Sequence, residues 1–164
     1  MIPDGFERLD PRIVDVRQTV GLITAAVLSA AGLLVLGSTG LAMRPSWTAV
    51  ALGAGGWMAA SVLVAMWLWR WPAIAYRHAS YRIDEAGIEI RRGVVWRRII
   101  NVPRSRVQHT DVSQGPIERS HELSTLIIHT AGTEHARVGL PGLARPVAIA
   151  LRDQLLPRDG RDAV

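Results

Sequence analysis

The sequence predicts a membrane α-hairpin of two transmembrane helices, followed by a mainly β domain with a C-terminal helix. Three observations carry this. Gln18 to Met43 is 26 residues without a charge, and Pro45 to Trp69 is 25 more. From Ala79 the pattern changes to short runs of period two, bounded by turn residues. The charges divide accordingly: residues 18–69 hold only Arg44, while residues 70–164 hold 15 Arg and 10 Asp or Glu.

Each apolar run exceeds the roughly 20 residues needed to cross a hydrocarbon core of about 30 Å. Soluble helices rarely stay uncharged for so long twice running, which sets aside a buried soluble hairpin. A signal peptide fits poorly: the first run is too long for an h-region, four acids precede it, and a second span follows at once. The short connection Arg44-Pro45-Ser46 makes the helices antiparallel neighbours. Gly21, Ala25 and Ser29 in the first helix, and Ala51, Gly55 and Ala59 in the second, form small-residue stripes. These allow close approach in lipid, either within the hairpin or between copies.

Arginine placement sets the expected orientation. The hairpin tip carries Arg44, whereas Arg8, Arg12 and Arg17 precede the first span and Arg70, Arg77 and Arg82 follow the second. Both termini are therefore expected in the cytoplasm of a multi-pass protein of the bacterial inner membrane. Trp47 is expected at the outer interface. Trp67, Trp69 and Trp71, with Arg70, are expected as anchors at the inner one, where Pro72 ends the helix. The expected division is 1–17 as a cytoplasmic segment, 18–71 as the hairpin, 77–157 as the β domain and 158–164 as a disordered tail.

Six strands are expected: Ala79–Ile83, Ile88–Arg92, Val94–Val102, Val107–Gln114, Ser124–Thr130 and His135–Leu140. Asp84-Glu85-Ala86-Gly87 and Gly93 mark turns, and Pro141-Gly142 breaks the sheet. Ala144, Val147, Ala148, Leu151 and Leu155 then form one helical face, with Pro146 in the first turn and Pro157 as the stop. A domain this small buries only about 60% of its unfolded surface and is marginal alone.

Four stretches carry a family resemblance: Tyr81–Ile90, Arg92–Arg98, the block Val102–Arg119, and Leu126–Gly132. From Arg77 to Leu156 the chain resembles the bacterial PH-like family found next to transmembrane helices, the membrane-flanked, YdbS-like proteins. The order of two helices and then one such domain is similar too. The resemblance implies a PH-like barrel with a C-terminal helix, and it does not imply an enzyme. One departure stands out: where the family usually has glycine before a leucine, this chain has Glu122 before Leu123.

The chain has no cysteine, which excludes disulfides, thiol catalysis and zinc-thiolate sites. Its 19 basic residues are all Arg. This reads either as codon bias of a GC-rich bacterial genome or as bidentate phosphate recognition. The net charge of +5 and pI of 11.1 are accounted for by basic cytoplasmic flanks, so no nucleic acid is expected. The five histidines at 78, 109, 121, 129 and 135 match no compact ligand motif, so no metal or cofactor is expected. No serine sits in a GxSxG elbow and no paired carboxylates stand out, so neither catalysis nor a small-molecule substrate is expected.

Two surfaces remain as candidates. Arg91, Arg92, Arg97 and Arg98 flank one hairpin turn, either as a solvated strand face or as a contact for anionic headgroups. The acidic first hairpin loop disfavours phosphoinositide binding of the eukaryotic PH kind. The segment Gln108, His109, Asp111, Gln114, Pro116, Ile117, Glu118 and Arg119 is too polar for simple alternation. It reads either as a barrel edge with internal hydrogen bonds or as a rim for a partner. The leading expectation is a non-catalytic membrane-anchored interaction module that assembles with another membrane protein or with itself. The alternatives are an anionic-lipid sensor and an auxiliary subunit of a transporter or membrane enzyme complex. About eight residues separate Trp71 from the first strand, a reach of at most about 28 Å, so the domain is expected against the inner leaflet.

The orientation is testable because the chain lacks cysteine. An impermeant thiol reagent on intact cells should label Ser46→Cys and leave Thr133→Cys untouched; labelling of position 133 alone would invert the topology.

Overall fold

A computed structural model describes residues 5–43, 46–131 and 137–155. The chain forms two compact units. Residues 17–73 make one, and residues 1–16 together with 74–164 make the other.

The first unit is the helical hairpin, built on α1 (Ile13–Met43) and α2 (Trp47–Arg77). Both are long and apolar enough to cross a membrane, and their large side chains point outward: Leu34 is 75% exposed and Leu52 78%. The protein is a membrane protein with two spanning helices. On α1 the small residues Gly21, Ala25, Ser29 and Gly32 are the covered ones, as the first expected stripe requires. A Cβ at Gly21 would stand 3.2 Å from Leu68 Cβ, and a Cβ at Gly32 would overlap the Trp57 ring. The Trp57 indole N–H donates to Ser29 O at 3.2 Å, so the indole is both knob and hydrogen-bond donor.

The second expected stripe is not used in this contact. Ala51, Gly55 and Ala59 are exposed, and α2 instead turns Trp57, Ser61, Ala65 and Leu68 inward. One large ring seated over glycine fixes the rotation of α2, which small residues alone leave open. Pro72 does not end the helix as expected. It lies buried inside α2, which continues five residues further. Its cost is local, since Leu68 O loses its backbone donor. Arg44 and Pro45 lie outside the described residues.

The second unit is a β domain of two antiparallel sheets. One has the order β1-β2-β3-β4: Glu7–Arg8, Ser80–Asp84, Gly87–Arg92 and Arg98–Pro103. The other has the order β5-β6-β7: Val107–Ser113, Leu123–Thr130 and Arg137–Ala144. A short helix α3 (Pro116–Ser120) joins β5 to β6, and α4 (Arg145–Leu155) packs on the second sheet through Ala148, Leu151 and Leu155. Val147, expected on that face, is 39% exposed. Both sheets and α4 share one core, including Tyr81, Ile88, Ile90, Leu126 and Ile128. This is the expected PH-like arrangement, but the barrel is not closed: among the described residues β4 and β5 do not pair.

Three expectations are corrected. The domain is not the continuous segment 77–157. Glu7 and Arg8 pair with Tyr81 and Ser80, and Leu9, Ile13 and Val16 are buried in its core. A two-residue strand has no periodicity to read, and α1 begins within the domain, ahead of the uncharged run from Gln18 that marks the span. Second, Pro141-Gly142 does not break the sheet. Leu143 and Leu140 pair with Ser124 and Leu126, so Pro141 and Gly142 together face Thr125 as a bulge. Gly142 has φ +81 and presses on Ile13, which leaves no room for a Cβ. Its carbonyl accepts the Asp10 N–H at 2.8 Å. Third, Val94–Trp96 is a bend and the strand begins at Arg98, because Gly93 turns the chain tightly at φ +114 against the Trp96 carbonyl. His135, the expected helix stop Pro157 and residues 158–164 lie outside the described residues.

Tyr81 anchors the first sheet. It is 2% exposed, and its hydroxyl donates to Glu7 Oε2 at 2.7 Å. Burial, reinforced by the Glu7 carboxylate, pushes the phenol well above its usual range. A raised phenol contributes stability that is fully present below about pH 10 and is lost as the pH rises beyond it.

Two outcomes follow. Residues 77–157 expressed alone should fail to fold, whereas residues 5–16 joined by a flexible linker to 74–157 should give cooperative melting by circular dichroism. Stability in denaturant should fall between about pH 10 and 12, and Tyr81→Phe should flatten that fall while costing about 1 kcal/mol at pH 9.

Candidate functional site

The β3–β4 hairpin brings the arginine cluster together. Arg91, Arg92, Arg97 and Arg98 line one cleft of about 460 Å³, shared with Arg77, His78, Ser80 and Ile99. The two arms of one hairpin meet here, with Arg92 paired to Arg98 and Arg91 to Ile99. Arg91 is held from behind. It donates to Glu89 Oε1 at 2.7 Å and lies 4.0 Å over the Phe6 ring, which Arg82 also caps at 5.0 Å. Arg92 donates to Gly139 O at 3.4 Å. Among the described residues no carboxylate pairs with Arg77, Arg92, Arg97 or Arg98, so the cleft carries uncompensated positive charge. Beside it the hairpin tip exposes Val95 and Trp96, the latter at 84%, and Ile99 follows on β4. The sequence reading found the four arginines but missed Arg77 and Trp96. Trp96 was legible as an apolar residue in a turn between arginines.

The first hairpin loop is internally engaged. Asp84 Oδ1 accepts from the backbone N–H of Ala86 at 3.0 Å and Gly87 at 3.1 Å, holding the turn.

The segment Gln108–Arg119 divides by role. Gln114 donates to Leu123 O at 2.6 Å. Glu118 accepts from Gly115 N at 2.8 Å and from the Thr125 hydroxyl at 2.7 Å. Ile117 packs against the core. Pro116 and Arg119 are exposed on α3, and Gln108, His109 and Asp111 on β5. Glu122, after α3, has φ +56, the left-handed region where glycine is favoured. Ser120 Oγ lies 3.1 Å from His121 Nδ1, but that nitrogen also meets Ile117 O at 3.0 Å, and both side chains serve the end of α3.

The strand register brings together residues that spacing leaves apart. His109 on β5 is paired with His129 on β6, after an irregularity that takes up Gln108. Their rings stack at 4.0 Å, and Asp111 Oδ2 lies 3.3 Å from His129 Nε2 and 3.9 Å from His109 Nε2. Sequence spacing shows no compact ligand motif among the histidines, and the register nonetheless places the donor atoms of these three residues within 4.8 Å of one another.

In the hairpin unit Trp67 and Trp71 stack at 5.4 Å. Trp47, Trp67, Trp69, Arg70 and Trp71 are all exposed, and Gln18 donates to Trp69 O at 3.0 Å.

Two spanning helices and an open PH-like barrel with a closing helix define a membrane-tethered PH-like protein. Residues 20–159 match the family model described as the bacterial PH domain, and the chain belongs to that family. It is 33% identical over 111 residues to the transmembrane protein YdbS of Bacillus subtilis (strain 168), an alignment covering 68% of this chain and 65% of that relative. No solved structure matches at a significant level.

Proposed function

We propose that the protein is a non-catalytic, membrane-anchored module of the bacterial inner membrane that engages anionic lipid headgroups through its β3–β4 hairpin, with both termini cytoplasmic. The observation that carries this reading is the cleft of Arg77, Arg92, Arg97 and Arg98, with an exposed indole at its edge. Each basic residue near an anionic surface is worth about 1 kcal/mol, and an indole gains at the interface by burying its ring while keeping its N–H wet. Arg77 comes six residues after Trp71 on the same helix, a rise of about 9 Å. The acidic Asp84–Gly87 loop argues against phosphoinositide recognition of the eukaryotic kind.

A protein partner is the second reading, favoured by the outer edges of β4 and β5, which pair with no strand among the described residues. Such edges accept an added strand. Within the expected rim, Gln108 and Arg119 remain available, while Ile117, Gln114 and Glu118 serve the fold.

A photo-crosslinking amino acid at position 96 of the full chain separates the two readings. In phosphatidylglycerol vesicles it should capture lipid several-fold more than in phosphatidylcholine. The combined changes Arg92→Gln, Arg97→Gln and Arg98→Gln should remove that preference. Capture indifferent to headgroup charge and to the arginines would sink the lipid reading. Capture of a protein in native membranes would favour the second.

A further inference from the structure

We propose that His109, Asp111 and His129 form a binding site for a borderline-soft divalent cation, with Zn²⁺ the best match. The donor set is the first argument. Two imidazoles and one carboxylate are ligands that Zn²⁺ takes, and the chain has no thiolate to compete. Imidazole nitrogen also suits Ni²⁺ and Cu²⁺, whereas Mg²⁺ and Ca²⁺ want oxygen alone.

Geometry is the second. A tetrahedral ion with ligands at about 2.0–2.1 Å sets neighbouring donors about 3.4 Å apart. The His129 Nε2 to Asp111 Oδ2 distance is already 3.3 Å, and His109 Nε2 is 3.9 Å from the same oxygen. The stacked rings, 12° from parallel, present both Nε2 atoms toward one carboxylate. Binding requires the two partly exposed rings to unstack and turn about their side-chain torsions so that both Nε2 lone pairs converge on one ion.

The scaffold is the third. All three ligands sit on two hydrogen-bonded strands rather than on a loop. His109 and His129 are register partners, and Asp111 is two residues along the same face. Among the described residues Asp111 has no arginine partner, and its close contacts are with these two imidazoles. His78 and His121 differ, since each Nδ1 meets a backbone carbonyl of its own helix, at 2.9 Å and 3.0 Å. Three protein ligands on an exposed face leave a fourth position for water or for a donor from another molecule.

The test uses the full chain in detergent, carrying no histidine tag and stripped with chelator. Zn²⁺ titration by calorimetry should show about one ion per chain, with Mg²⁺ giving no uptake. His109→Ala, His129→Ala and Asp111→Asn should each weaken uptake by at least about tenfold. His78→Ala and His121→Ala should leave it unchanged. Zn²⁺ should also raise the melting temperature of the wild type and not of the His109→Ala, His129→Ala double variant. This second readout compares each protein with its own metal-free form, so a destabilised variant still reports. Absence of stoichiometric uptake by the wild type, or uptake that survives in the double variant, would overturn the site.

Discussion

The β domain depends on a contact between the two ends of its own chain. Asp10 N–H bonds to the carbonyl of Gly142, and Ile13 lies where a side chain at Gly142 would stand. Leu9 and Val16 complete the same core. The domain is thus assembled from residues on both sides of the hairpin, and the hairpin is an insertion into it. A core shared by residues 9–16 and 81–155 requires both stretches to lie on one side of the bilayer, which is possible only with an even number of crossings. Two spans satisfy this.

The same N-terminal segment reaches the arginine cleft. Phe6 lies under the guanidinium groups of Arg82 and Arg91, and Glu89 pairs with both. Glu89 is thereby committed behind the cleft, while Arg77, Arg92, Arg97 and Arg98 keep their charge unmatched by any described carboxylate. Positive charge on one hairpin is costly for the fold through self-repulsion. The apolar ring of Trp96 beside it is exposed as well, and the proposed anionic lipid surface would cover both.

Much of the architecture was legible because it rests on local signals. Uncharged runs of spanning length define the helices. Period-two runs between Asp84–Gly87, Gly93 and Gly115-Pro116 locate the strands. The arginine cleft was legible for the same reason, since its four central members sit within eight residues on one hairpin. Prolines and small residues misled where packing overrides them. Pro72 is accommodated inside α2, Pro141-Gly142 becomes a bulge, and the contact face of α2 is chosen by Trp57 over Gly32 rather than by Ala51, Gly55 and Ala59.

Composition and periodicity by themselves determined that this chain is a two-span membrane protein carrying a mainly β domain with a C-terminal helix, and the resemblance of its motif stretches implied that this domain is PH-like. They did so because hydrophobic length and local alternation are properties of contiguous residues. Only the tertiary structure decided that Glu7 bonds to Tyr81, 74 residues away, and that His109 stands opposite His129 beside Asp111. Those contacts hang on strand register, and the register of β5 against β6 turns on the irregularity at Gln108. A slip of one residue there would leave every local propensity intact and send the two imidazoles to different neighbours.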